Sequence, residues 1–480
     1  ILLTSGLYYS NATTFNGQAM SINGAITSTA TAGTITLNAG GAFSNNAAGV
    51  ITASGAQGGV VITAGKGVNL AAASATYDLT LSGNVTSGTG GIQFHASKAI
   101  TQSLASVLTS TGAVSGQSAA GSAGGSATAP AARASVTFNN NNNVASVGPF
   151  YVATGIAATP ATFTFRNVAG LLLSGDIKTS DGAITLTAVN GALNLAGFGV
   201  SAGELATAGS NIVLSGRGIT QSGGTISATG SLNGTTPSNG TNGGTILLTG
   251  NDGTAAGAIT LSGTLATANT TSAAITIRGT TALTLPNVTT AGGLILGDNS
   301  FAITGNITQA QNSVIQAASL NIGTVTTAVG GSVVLANLNK IDTLNLSNVT
   351  NVEGTQYDLD INDTTGGLTI AGAQTSTGGI RIATAKSTGA VGTLVIGANN
   401  ITASGDISLA GETISQLSGS SINADGSGVS SMGGTITVSG GGGTNSITLG
   451  GTITTDSDSV SAIVLRSAAN ATLNIVSAAA

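Results

Sequence analysis

Residues 283–296 read Leu283-Thr-Leu-Pro-Asn-Val-Thr-Thr-Ala-Gly-Gly-Leu-Ile-Leu296, and this stretch decides the fold. It alternates apolar and polar residues, breaks at a Gly pair, and resumes as a second apolar run. Alternation of period two places Leu283 and Leu285 on one face of an extended strand and Thr284 on the other; Gly supplies the turn. Two further segments repeat the pattern, Leu320-Asn-Ile-Gly-Thr-Val-Thr-Thr327 and Leu344-Asn-Leu-Ser-Asn-Val-Thr-Asn351, and a looser copy starts at Leu368-Thr-Ile370. The starts lie 37, 24 and 24 residues apart, and second strands follow at Leu294–Leu296, Val333–Leu335 and Ile380–Ile382. Such recurrence marks a repeat array, in which no unit buries its apolar face alone and stacking makes the core continuous.

The same grammar runs along the chain, in Ala183-Ile-Thr-Leu-Thr187, Ala258-Ile-Thr-Leu-Ser262 and Gly434-Thr-Ile-Thr-Val-Ser439. Ile-Thr-Gln recurs at Ile100, Ile219 and Ile307, and Gly-Asp-Ile turns occur at Gly175 and Gly405. The predicted fold is all-β, a parallel β-helix or β-solenoid. With about 24 residues per coil it has about 20 coils, and strands about 4.8 Å apart give a length of about 100 Å.

Composition agrees. Gly supplies 74 of 480 residues, hydrophobic residues 41 %, charged residues 6 % and aromatics 3 %, with a mean hydropathy of +0.38. That is too apolar for disorder. Only five Pro, with no Gly at every third place, exclude a collagen helix. Thr, Ser, Asn and Gly are poor helix formers and no 3.6-residue period appears, so helical solenoids are excluded too. There is no Cys, which suits a secreted protein. The eleven Lys and Arg are scattered and the net charge is −5, so nucleic acid is not an expected partner. No apolar run is long enough for a membrane span. The chain starts at Ile1 without an export signal, so that signal is expected outside these residues.

The chain is not uniform. Eleven of fourteen Phe and Tyr fall in 1–165. Residues 1–165 are therefore expected to form an aromatic-richer solenoid region with a Gly/Ser/Ala/Asn-rich insertion near 104–148, and 166–480 a regular solenoid. Residues 104–135 read as a loop extruded from the coils. The run Asn139 to Asn143 reads as either a solvated turn or a stacked amide ladder.

Signals for chemistry are few. The single His, His95, follows Phe94 on an expected strand and points outward. One His and no Cys leave no basis for zinc chemistry or a His-activated nucleophile. The densest carboxylate group is Tyr357-Asp-Leu-Asp-Ile-Asn-Asp-Thr364. Alternation places Asp358, Asp360 and Asn362 on one face. With Asp363 they are either a solvated acidic turn or a calcium site, the one cofactor the sequence admits. Carboxylates of this kind also serve polysaccharide-cleaving β-helices. Phe163 and Phe165 share one strand face and read as core. In the adjacent pairs Tyr8–Tyr9 and Phe150–Tyr151, one member of each must face outward, making these four the candidate ligand or contact patch.

Taken together, Gly305-Asn-Ile-Thr-Gln309, Gly218-Ile-Thr-Gln-Ser-Gly-Gly-Thr-Ile226 and the 283–296 stretch resemble the filamentous-haemagglutinin-like repeats of large exported adhesins, of the two-partner-secretion and autotransporter-passenger type. The resemblance covers 170–480 well and 1–110 loosely. It implies a right-handed coil, export across a bacterial outer membrane, and display on the cell surface for adhesion or biofilm formation. The family's secretion domain and barrel are not among these residues, so a central segment or a fibre subunit is expected. The expected function is that of a non-enzymatic extracellular fibre or adhesin shaft that self-associates along its axis and meets a host-cell, matrix or polysaccharide surface. The alternative is a carbohydrate-binding or polysaccharide-degrading β-helix.

Overall fold

The structure, a computed structural model, describes residues 1–4, 6–65, 77–118, 135–152, 160–203, 209–229, 243–350, 357–364, 366–385, 392–425, 433–440, 446–466, 470–473 and 477–478. Among them there is no helix. Strands are short and their ladders parallel. Strands recur in threes, most of them pairing with the third strand that follows except around the long strands Val136–Val152 and Val333–Val349, which makes the fold solenoid-like. The chain divides into two compact units. Unit one holds 1–248, 252–255 and 266–268; unit two holds 249–251, 256–265 and 269–480.

Within unit one a single inward column runs Met20, Phe43, Leu79, Ile100, Val136, Phe163, Ile184, Ile212, each in register with the next. All eight are buried. One residue further along each strand, the outward column runs Ser21, Ser44, Thr80, Thr101, Thr137, Thr164, Thr185 and Val213. Period-two alternation thus separates an apolar core, aliphatic but for Phe43 and Phe163, from an outward row of Ser and Thr that ends at Val213. Each buried Ile, Leu or Val adds about 1.5–3 kcal/mol of transfer energy. In unit two the matching inward column is Ile259, Leu283, Ile307, Val333, Leu359, Ile380, Ile407 and Ile436, again all buried.

The register explains the uneven repeat spacing. Leu320 stacks on Leu294 and under Leu344, so a 24-residue step is one coil. Leu283 lies on a different face, in register with Ile307, and the 37-residue step is therefore not a whole coil.

The ladder runs through two stretches that the sequence sets apart. First, 104–148 is not an insertion that breaks the strand pattern: Leu108–Ser118 and Val136–Val152 are strands. They pair with each other, and Leu108–Ser118 pairs also with Gly91–Ala96, while 119–134 lie outside the described residues. Gly-rich sequence is compatible with this ladder because Phe150 fills the space that Gly116 leaves. A Cβ at Gly116 would lie 2.1 Å from the Phe94 carbonyl oxygen and 3.1 Å from the Phe150 ring. Second, the ladder continues across 165/166. Phe163–Asn167 pairs residue by residue with Ile184–Ala188 in the same unit. The aromatic-rich stretch changes how the core is filled, through edge and tilted contacts of Phe138 with Phe94, Phe150 and Phe165 at 5.3, 6.1 and 5.7 Å, without interrupting the ladder.

Candidate functional site

The acidic segment 357–363 forms one side of a strand, Leu359–Asp363, whose neighbour is Ile380–Thr384. In-register pairing sets Asp360 opposite Arg381, and the guanidinium clasps the carboxylate through Nε at 2.8 Å and Nη2 at 2.5 Å. The same guanidinium lies 5.8 Å from the Tyr357 ring centre. The Asp360 hydrogen bonds raise the Arg381 pKa still further, against the lowering effect of burial. Asp358 is 1 % exposed. Asp363 does not join this face: alternation turns it inward with Leu359 and Ile361, where it is fully buried. There it accepts the Ile341 N–H at 2.8 Å and the Thr384 hydroxyl at 3.3 Å. The Asn362 side chain donates to the Ala336 carbonyl. The segment is thus a bidentate ion pair on one side and a core carboxylate on the other, and among the described residues no three His, Cys, Asp or Glu are grouped to hold a metal.

The aromatic pairs separate in the same way. Tyr8 is 78 % exposed. Tyr9 sits edge-on to Phe15 at 5.7 Å. Phe150 is 1 % exposed and packs on Phe163 at 4.9 Å, so it presents no surface. Tyr151 faces outward, half-buried, beside Gln117 and Lys178, whereas Tyr8 heads a different column over Thr27. The four residues do not form one patch. His95 is half-buried on the outward side of its strand, in register with Gln117.

Two constellations escaped the sequence reading. Each unit contains one coil in which neighbouring strands merge into a 17-residue strand, Val136–Val152 in unit one and Val333–Val349 in unit two. At its bend sits an amide cluster built the same way twice. Gln102 donates to Asn142 Oδ1 at 2.7 Å and to the Ser106 carbonyl at 2.9 Å, and accepts from Asn142 Nδ2 at 3.2 Å. Gln309 repeats these contacts with Asn339 and Ser313 at 2.7, 3.5 and 3.1 Å. Asn142 also takes the Leu108 N–H and donates to the carbonyls of Phe138 and Arg166. Asn339 does the same with Ile315, Leu335 and Asn362. The signal was present as Ile-Thr-Gln-x-x-x-Ser-Val at 100–107 and 307–314. The third Ile-Thr-Gln lacks that Ser, and Gln221, 2 % exposed, has neither amide atom hydrogen-bonded.

The second constellation is an open cleft of about 450 Å³ on the outer face of the long strand in unit two. Lys340 and Asp342, two apart on one face, stand at its rim with Gln316 and Thr364. Burial raises the Asp342 pKa, and the charge of Asp363 raises it further.

Comparison with family models, with curated proteins and with solved structures gives no match.

Proposed function

We propose that the chain is a non-enzymatic extracellular structural protein, a bacterial surface fibre or adhesin shaft that mediates attachment. In this reading it is a right-handed β-helix of about 20 coils, at the 23–25 residues that separate Met20 from Phe43 and Ile26 from Ile51. The observation that carries it is the continuous buried apolar column in each unit, flanked in unit one by an outward row of Ser and Thr that ends at Val213 and in unit two by a mainly polar row, Thr260, Thr284, Thr308, Val334, Asp360, Arg381, Ser408 and Thr437. Such a coil depends on its neighbours above and below for both ladder and core, which favours self-association along the axis. Negative-stain imaging of the purified chain tests the proposal. Slender particles that join end to end are expected, and compact globules would overturn it. A second reading, a carbohydrate-binding β-helix, is favoured by the polar cleft around Lys340.

A further inference from the structure

The two amide clusters provide an internal control for the cleft. The strand Leu108–Ser118 pairs with Val136–Val152 so that Thr109 faces Asn143. The strand Ile315–Ile322 pairs with Val333–Val349 so that Gln316 faces Lys340. Counting from Asn142 and Asn339, Lys340 therefore occupies the place of Asn143, and Asp342 that of Ala145. Unit one builds the same long strand, the same register and the same amide cluster with an amide and a methyl at these positions. The charges of Lys340 and Asp342 are thus not needed to form the coil.

Charge is scarce in this chain, and most described cations are committed. Lys98, Lys178, Arg217, Arg278 and Arg381 each lie against an Asp. Among the described residues no ion pair joins Lys340 to Asp342 or to any other carboxylate, although both are exposed on the same face. An ammonium held at a cleft rim in this way is available to an anionic group of a ligand. The Asp342 carboxylate and the Gln316 amide beside it form the acceptor and donor set that ring hydroxyls require. The lining also includes Ala318 and Ala317, small residues of the neighbouring strand, of which Ala317 is 3 % exposed. An open cleft rather than a closed cavity suits one residue of a polymer.

We propose that this cleft binds an acidic saccharide, a uronate-bearing stretch of polysaccharide, with Lys340 pairing to the uronate carboxylate and Asp342 and Gln316 holding ring hydroxyls. The inference deepens the attachment reading and rests on it only for the polymeric nature of the ligand; the site itself stands on the cleft and the comparison between units.

The test is calorimetric titration of the full chain with a purified oligouronate, a neutral oligosaccharide of equal length, and a free α-amino acid. The expected result is oligouronate binding at or below about 1 mM that weakens with added salt, with the neutral sugar at least about tenfold weaker. Lys340→Asn and Asp342→Ala, which install the residues of unit one and so preserve the strand, should each cost about tenfold, and the double variant should abolish binding, with the circular dichroism unchanged. Absence of oligouronate binding, equal binding of the neutral sugar, preference for the amino acid, or full affinity in the double variant would each overturn the proposal. None of these outcomes alters particle shape, so failure of the site is distinguishable from failure of the fibre reading.

Discussion

The same residue in the same tripeptide should respond in opposite directions to one substitution. Gln102 and Gln221 both end an Ile-Thr-Gln strand and both are buried in unit one. Replacing Gln by Met nearly conserves volume and removes only the amide. At Gln102 this deletes the reciprocal bonds to Asn142 and the bond to the Ser106 carbonyl. The partners are not orphaned: Asn142 keeps Leu108 and two carbonyls, and the Ser106 carbonyl keeps the Asn140 amide at 2.7 Å. Asn142 Nδ2 has two hydrogens for three acceptors, so of the three deleted bonds the one it donates to Gln102 is replaced by its other two; the cost is then two net hydrogen bonds, about 2 kcal/mol. At Gln221 there is no bond to lose, and the substitution removes the desolvation penalty of a buried amide, a gain of about 1–3 kcal/mol. Repeat arrays open locally, so a local probe is preferable to a global melt. Hydrogen exchange of peptides spanning 100–108 and 219–227 reads the two sites directly, because the Leu108 N–H is itself bonded to Asn142. At about 1.4 kcal/mol per tenfold, Gln102→Met should speed exchange at its site about 30-fold and Gln221→Met should slow it about tenfold. Faster exchange in both variants would refute the assignment of one amide as satisfied and the other as orphaned.

Phe138→Ala should lower the urea midpoint of unit one by the equivalent of about 3–5 kcal/mol, since it removes the ring that touches Phe94, Phe150 and Phe165; a loss below about 1 kcal/mol would show that this cluster does not fill the core. Asp298 gives a pH dependence. Burial raises its pKa, but the Arg278 guanidinium at 2.6 Å and the N–H groups of Phe301 and Ser300 outweigh it and hold the carboxyl below 3.8. A depressed folded pKa means the stability is present above 3.8 and is lost as pH falls below it, so Asp298→Asn should flatten the loss of β-sheet circular dichroism below that pH.

The acidic segment shows how far the sequence reading reached and where it stopped. Alternation alone placed Leu359 and Ile361 inward and Asp358 and Asp360 together on the other face. It had no means of setting Arg381 opposite Asp360, because that pairing depends on the number of residues in the intervening turn. Asp363 was grouped with the other acids by proximity in sequence, yet the period that separates faces sends it into the core. Of Phe150 and Tyr151 the sequence required only that one face outward; the phase of the strand, with Val152 buried two residues on, turns Phe150 in and Tyr151 out.

What the sequence by itself determined is the local rule: short strands of alternating aliphatic and hydroxyl residues, with Gly turns, in coils near 24 residues. That rule follows from backbone geometry and side-chain polarity within a few residues, and a chain segment carries it wherever it sits. What only the tertiary structure decided is register. Which inward residue stacks on which, the merging of strands at 136–152 and 333–349, the doubled Gln–Asn cluster, and the Lys340–Asp342 cleft all arise between segments 20 to 40 residues apart. Turn lengths vary from coil to coil, and burial energy is nearly the same for any aliphatic pair, so the hydrogen-bonded ladder, not composition, fixes those partnerships.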